Sequence, residues 1–228
     1  MNDDLIDTFG SLSLNDENRV VQPAIQIQKN PSVLSVCLSH VDTLQWNWMD
    51  NNTAYQLVKL SGNSPEYHAV ERRFKSTSPL SNIIQIQRVQ CPFLYVQYQL
   101  KLKQKQSRHV YVSESSLFHG TKECNIDSIC RKNFDWRLMG SSGYRYSKFG
   151  CGVSFSPSSN YASMFPRKHF VSERIMFVVK VLEVARCPGI SGLYIPPEPA
   201  DTSAKSDGNV VVKYFDNDFC PEYIIRYS

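Results

Sequence analysis

No stretch of the 228-residue chain approaches the ~18 consecutive apolar residues that a bilayer crossing requires, and 20% of its residues are charged, so a membrane-spanning helix is excluded. The N-terminus lacks a basic flank followed by an apolar core, and no secretory signal is expected. Gly140, Gly143, Gly150 and Gly152 fit neither phosphate-loop spacing, which argues against a nucleoside-triphosphate site. Close cysteine pairs are missing too. The seven thiols, Cys37, Cys91, Cys124, Cys130, Cys151, Cys187 and Cys220, are odd in number and have neither zinc-site nor disulfide spacing, so they read as reduced thiols of an intracellular protein, cytoplasmic or nuclear. His40, His68, His109 and His169 are scattered without metal-ligand spacing, and no metal is expected.

What is present is enough apolar material, 42% of the chain, for one large domain or two small ones. The formal charge is +4, yet Asp3, Asp4, Asp7, Asp16 and Glu17 face only Arg19 in the first nineteen residues. Residues 1–32, which carry no useful periodicity, read as a flexible acidic leader, and 33–228 as a single, more basic domain able to receive a polyanionic ligand such as a dinucleotide.

Within that domain the pattern predicts a strand over Ala54–Leu60, then a helix from Pro65 to Lys75 capped by Ser64 with Tyr67, Val70 and Phe74 on one face. A strand over Ile83–Gln90 and a helix over Phe93–Gln106 follow. Further strands are expected at Val110–Phe118, Val153–Ser156, Ile175–Leu182, Val210–Phe215 and Tyr223–Tyr227, with a short helix at Asn125–Asn133 turning Ile126, Ile129 and Cys130 inward. The sum is an α+β domain.

The residue types raise three chemistries. A cysteine–histidine hydrolase finds no cysteine in a nucleophile context. The run Lys101, Lys103, Lys105 and Arg108, beside Tyr95 and Tyr98, has the ingredients of a phosphate-backbone contact, but lysines at a helix C-terminus are normally a solvated turn favourable to the macrodipole, which argues against nucleic-acid binding. His119-Gly120-Thr121, at the end of a strand, sets an imidazole beside backbone that a ligand can approach closely.

Leu117-Phe118-His119-Gly120-Thr121, Lys148 to Phe155 (KFGCGVSF), and Cys220-Pro221-Glu222-Tyr223-Ile224-Ile225, in that order and preceded by Ile86 to Leu94 (IQRVQCPFL), resemble the catalytic domain of the poly(ADP-ribose) polymerase family, mono-ADP-ribosyltransferase branch. The resemblance covers about residues 40–228. It implies the ADP-ribosyltransferase fold, split antiparallel β-sheets with a few flanking helices that clamp NAD. It implies that His119 bonds the adenine-proximal ribose, that the Gly120 backbone grips the nicotinamide carboxamide, and that Tyr161 and Phe165 flank the nicotinamide ring. Tyr144, Arg145 and Tyr146 fall in a loop on the adenosine side.

This chain departs from the family pattern at three positions. Ser154 stands where the family has a tyrosine packed on the nicotinamide ribose, Ala162 where a serine bonds the carboxamide, and Val210 where polymerases have a glutamate. The catalytic positions His119, Ser154 and Val210 therefore form a degenerate triad. Breaking the nicotinamide–ribose bond develops positive charge that a carboxylate stabilises, and elongation needs an activated acceptor hydroxyl; valine does neither. The family's mono-transferases also carry an aliphatic residue there. The expected function is thus NAD-dependent transfer of a single ADP-ribose unit to protein side chains with release of nicotinamide, without polymer. The alternative is a catalytically silent member that keeps the fold as a binding module.

Overall fold

A computed structural model describes residues 33–39, 45–50, 53–138, 148–165 and 172–228. The acidic leader and the loop holding Tyr144, Arg145 and Tyr146 lie outside them. In chain order the elements are α1 Val33–Ser39, β1 Gln56–Lys59, α2 Pro65–Lys75, β2 Ile83–Gln90, α3 Pro92–Gln106, β3 Ser113–Thr121, α4 Ile126–Lys132, β4 Val153–Phe155, α5 Ser159–Ala162, β5 Arg174–Glu183, β6 Arg186–Pro188, β7 Thr202–Ala204, β8 Val211–Lys213 and β9 Phe219–Tyr227.

Five strands form an antiparallel sheet in the order β1-β2-β9-β5-β3. Its interior strand β5 is buried almost throughout because both faces are covered. Ile175, Phe177, Val179 and Val181 point to one side, with Leu94 and Tyr98 of α3 and Ile126, Ile129 and Cys130 of α4. Met176 and Val178 point to the other, with Val70 and Phe74 of α2. The expected inward residues of α2 and α4 are those the core takes. Helix α2 starts as its sequence dictates: Ser64 Oγ accepts the Tyr67 N–H at 3.1 Å, Pro65 occupies the first turn, and Arg72, Arg73 and Lys75 sit in the last.

The second sheet has the order β4-β8-β7-β6. Here β6 and β7 run parallel, so the split sheets are antiparallel except for this one pair. Two-way bonding between Phe118 and Ser156, at 2.7 and 2.9 Å, joins the sheets at the edge of β3. The fold is the mixed α+β architecture of split sheets and flanking helices that the motifs imply.

One expectation is overturned. Lys105 is not part of a solvated helix end but only 7% exposed, because its ammonium ion-pairs with Asp201 and, at 2.9 Å, with Asp218. Lys213, fully buried, lies 3.1 Å from each of the same two carboxylates and donates to Thr202 Oγ1 at 2.8 Å. Two lysines and two aspartates thereby tie α3, β7, β8 and the entry to β9 together. Burial alone would raise the Asp201 carboxyl, but the Lys213 charge and hydrogen bonds from Lys105 and Thr202 outweigh it and hold it well below the usual carboxylate range.

Candidate functional site

Strand β3 runs further than its sequence pattern predicts, so His119 and Gly120 lie within it, opposite Phe177 and Met176 of β5. The outer edge of β3 faces the split. Phe118 uses its N–H and C=O to hold Ser156 on that edge, and by the two-residue alternation of a strand those of Gly120 point the same way. Among the described residues no backbone group outside the sheet pairs with them. A side chain at Gly120 is impossible: its Cβ would stand 2.1 Å from the Phe165 carbonyl oxygen and 2.3 Å from that of Ala162.

His119 is partly buried, its ring edge-on to Phe134 at 4.8 Å and tilted against Phe155 at 5.8 Å. Its Nδ1 lies 2.9 Å from the Ser154 carbonyl oxygen, which only accepts, so Nδ1 carries the proton and Nε2 of the neutral ring presents a lone pair. Burial pushes the His119 pKa down from its ordinary value, with the Ser154 carbonyl partly opposing. Phe134 was not anticipated as a neighbour of this histidine. It follows Asn133, whose positive φ of 67° turns the chain back from α4, and an asparagine ending a helix is the signal that marks such a turn.

Strand β4 links the three positions expected to be catalytic, and its Ser154 carbonyl is the group that meets His119 Nδ1. β4 pairs with β8, setting Ser154 opposite Val212 and Phe155 opposite Val211, with Val210 one residue before. The Ser154 side chain is exposed between buried Val153 and Phe155. Val210 is buried, and with Val212 and Tyr214 it packs against Phe149, Tyr161 and Leu193. Ala162 faces the apolar cluster around Phe118 and Met176. The approach to β4 is rigid: Tyr214 and Ser203 hydroxyls meet at 2.5 Å, and Ser203 donates to the Phe149 carbonyl at 2.6 Å. Gly150, at φ +133°, passes where a Cβ would lie 1.7 Å from Tyr214 Oη.

Tyr161 and Phe165 are direct neighbours, ring centroids 6.2 Å apart and tilted by 45°. Admitting a flat ring between two aromatic faces takes about 7–8 Å, two van der Waals spacings, so these rings do not form a slot as they stand. Lys205 Nζ lies 5.7 Å from the Tyr161 ring centroid and 2.6 Å from Asp207, and its backbone N–H bonds the Val210 carbonyl at 3.0 Å. Nothing in the sequence pattern pointed to this lysine. The donor set thus fits a dinucleotide at His119 Nε2 and the Gly120 edge. At the Val210 end it offers apolar side chains and a lysine ion-paired with Asp207.

The model of the poly(ADP-ribose) polymerase catalytic domain matches residues 64–209, and the chain belongs to that family. It is 31% identical over 185 residues to human protein mono-ADP-ribosyltransferase PARP12, covering 76% of this chain and 26% of that protein. It is 29% identical over 212 residues to mouse mono-ADP-ribosyltransferase PARP11, covering 80% of this chain and 63% of the relative. Human mono-ADP-ribosyltransferase PARP14 matches at 28% over 210 residues, 86% of this chain and 11% of its own length. The chain therefore spans about a quarter of PARP12 and less than two thirds of PARP11. These similarities place it with the mono-ADP-ribosyltransferase branch.

Proposed function

We propose that this domain binds NAD in the split between the sheets and transfers a single ADP-ribose unit to protein side chains, releasing nicotinamide and forming no polymer. The observation that carries the reading is the pairing of a neutral, tautomerically fixed His119 with the outward-facing edge of Gly120. Nε2 would accept a ribose hydroxyl, and the Gly120 N–H and C=O would hold an amide by complementary bonds. His119 and Gly120 would orient the dinucleotide while Ser154, with no ring face, leaves the ribose wall open. Buried Val210 supplies no carboxylate to activate an acceptor hydroxyl, which supports transfer of one unit only.

A binding-only role is the second reading, and a specific observation favours it. Val210 supplies no carboxylate, and the lysine whose backbone N–H bonds its carbonyl, Lys205, is already ion-paired with Asp207 at 2.6 Å, so neither residue offers free negative charge to a developing cation. The test is calorimetric titration of the full chain with a non-hydrolysable NAD analogue, run beside His119→Ala, followed by incubation with labelled NAD and protein acceptors. Micromolar heat lost in the variant, with label on protein, supports transfer. Binding without label supports the silent module. Absence of heat from folded protein refutes the cleft assignment and supports a silent module that binds a partner other than NAD.

A further inference from the structure

The segment Cys220-Pro221-Glu222-Tyr223 takes no part in the cleft, yet it carries an irregularity of its own. In the pairing of β9 with β5, Tyr223 opposes Val178 and Pro221 opposes Val179, which leaves Glu222 as the unopposed residue of a β-bulge. In a regular strand Glu222 and Tyr223 would point to opposite faces. Here both line one groove of about 460 Å³ between α2 and the sheet. That volume lies within the roughly 300–1,000 Å³ range of small-ligand sites. The groove is on the Ser116–Phe118 side of β3, and the His119 ring is on the other.

The groove has apolar walls from Ala69, Val70 and Val178 and three charged groups, Glu66, Arg73 and Glu222. Two of these are already engaged. Glu66 takes both its contacts with Arg88 Nη1, at 2.8 and 3.0 Å, and a third bond from the Tyr223 hydroxyl at 3.0 Å. Arg73 donates to the Ser116 carbonyl and lies 5.6 Å from the Phe118 ring centroid. Glu222 differs. Its nearest cation, Lys180, is 3.9 Å away and shared with Glu114 at 3.3 Å, and among the described residues no side chain hydrogen-bonds its carboxylate. Burial raises the Glu222 pKa from its ordinary value, with Lys180 opposing, as fits a carboxylate short of compensation.

We infer that this groove is a second binding site, distinct from the NAD cleft, for an ammonium group on an aliphatic stem, with Glu222 as its anionic anchor. The stem lies along Ala69, Val70 and Val178, and the ammonium donates to the carboxylate that the bulge turns inward. The ammonium comes either from a free amine or from a lysine side chain of a protein.

The test is an amide-shift titration of the full chain by nuclear magnetic resonance with 1,5-diaminopentane, with Nα-acetyl-lysine N-methylamide, and with glutarate as the anionic control. Saturable shifts at Val70, Ser116 and Val178 are expected with an amine and none with glutarate. Glu222→Gln should weaken binding by roughly tenfold or more, as loss of a charged hydrogen bond does, with unchanged melting. Ala69→Phe, on the exposed side of α2, should block the groove without touching the sheet. Shifts from the diamine alone assign the site to free amines, and shifts from the lysine amide assign it to protein side chains. The inference is overturned if neither amine binds, if glutarate binds equally, if both variants bind like the parent, or if the NAD analogue competes.

Discussion

Replacing Lys213 by methionine removes one cation from a buried set of two lysines and two aspartates and leaves Asp201 and Asp218 sharing only Lys105. Lys213 and Asp218 are both 0% exposed, and Asp218 Oδ1 has no partner, so solvent offers little relief. A buried carboxylate stripped of its counter-charge costs about 3–5 kcal/mol, well above the roughly 0–1 kcal/mol of an exposed pair. At about 2–4 °C per kcal/mol for a domain of this size, the melting temperature should fall by roughly 6–20 °C. Thermal and urea unfolding of parent, Lys213→Met and the charge-balanced Lys213→Met/Asp218→Leu double variant measure this. The double variant should recover most of the loss, since an apolar pair of similar volume is close to neutral at a buried site. The depressed Asp201 pKa gives the same network an acid limit. Its stabilisation is complete above the unfolded-state value, about pH 4, and is lost as pH falls through the lower folded-state value. A loss below about 1 kcal/mol in Lys213→Met, or a double variant no better than the single, refutes the reasoning by showing that the quartet is hydrated.

Because burial holds the His119 pKa below the ordinary value of about 6.5, the ring is neutral at pH 7. Affinity for the NAD analogue should therefore be flat from pH 8 to about 6.5 and decline only in more acid solution, where protonation removes the Nε2 lone pair; calorimetry across that range checks it. Gly150→Ala should destabilise the domain by more than about 1 kcal/mol in urea unfolding, since φ is +133° and the new methyl meets Tyr214 Oη. Tyr214→Phe in that background should restore only part of the loss, because it removes the Oη contact but leaves the ring Cζ and Ser203 Oγ 2.8 Å from the methyl, keeps the backbone strain, and costs Ser203 its hydroxyl partner.

Local signals were sufficient wherever partners are near in sequence. Ser64, Pro65 and the 3.6-residue spacing of Val70 and Phe74 specify α2, and alternation specifies β2 at Ile83–Gln90. The ordered motifs around His119, Ser154 and Tyr223 carry the family and hence the split-sheet fold. The short strands β6 and β7 were not legible: three residues give no period, and Thr202–Ala204 is buried on every position. Lys105 read as solvated because a helix C-terminus explains a lysine locally, whereas its carboxylates stand 96 and 113 residues away. The site divides in the same way. Residue types at positions 119, 120, 154 and 210 are legible in the sequence, whereas the pairing of β4 with β8 beside the edge of β3, which connects their strands, is a tertiary feature. Tertiary packing alone decided that Tyr161 leans on Val210 beneath Lys205 and that Glu222 turns into a groove, since both follow from strand register and a bulge, which depend on chain segments far apart in sequence.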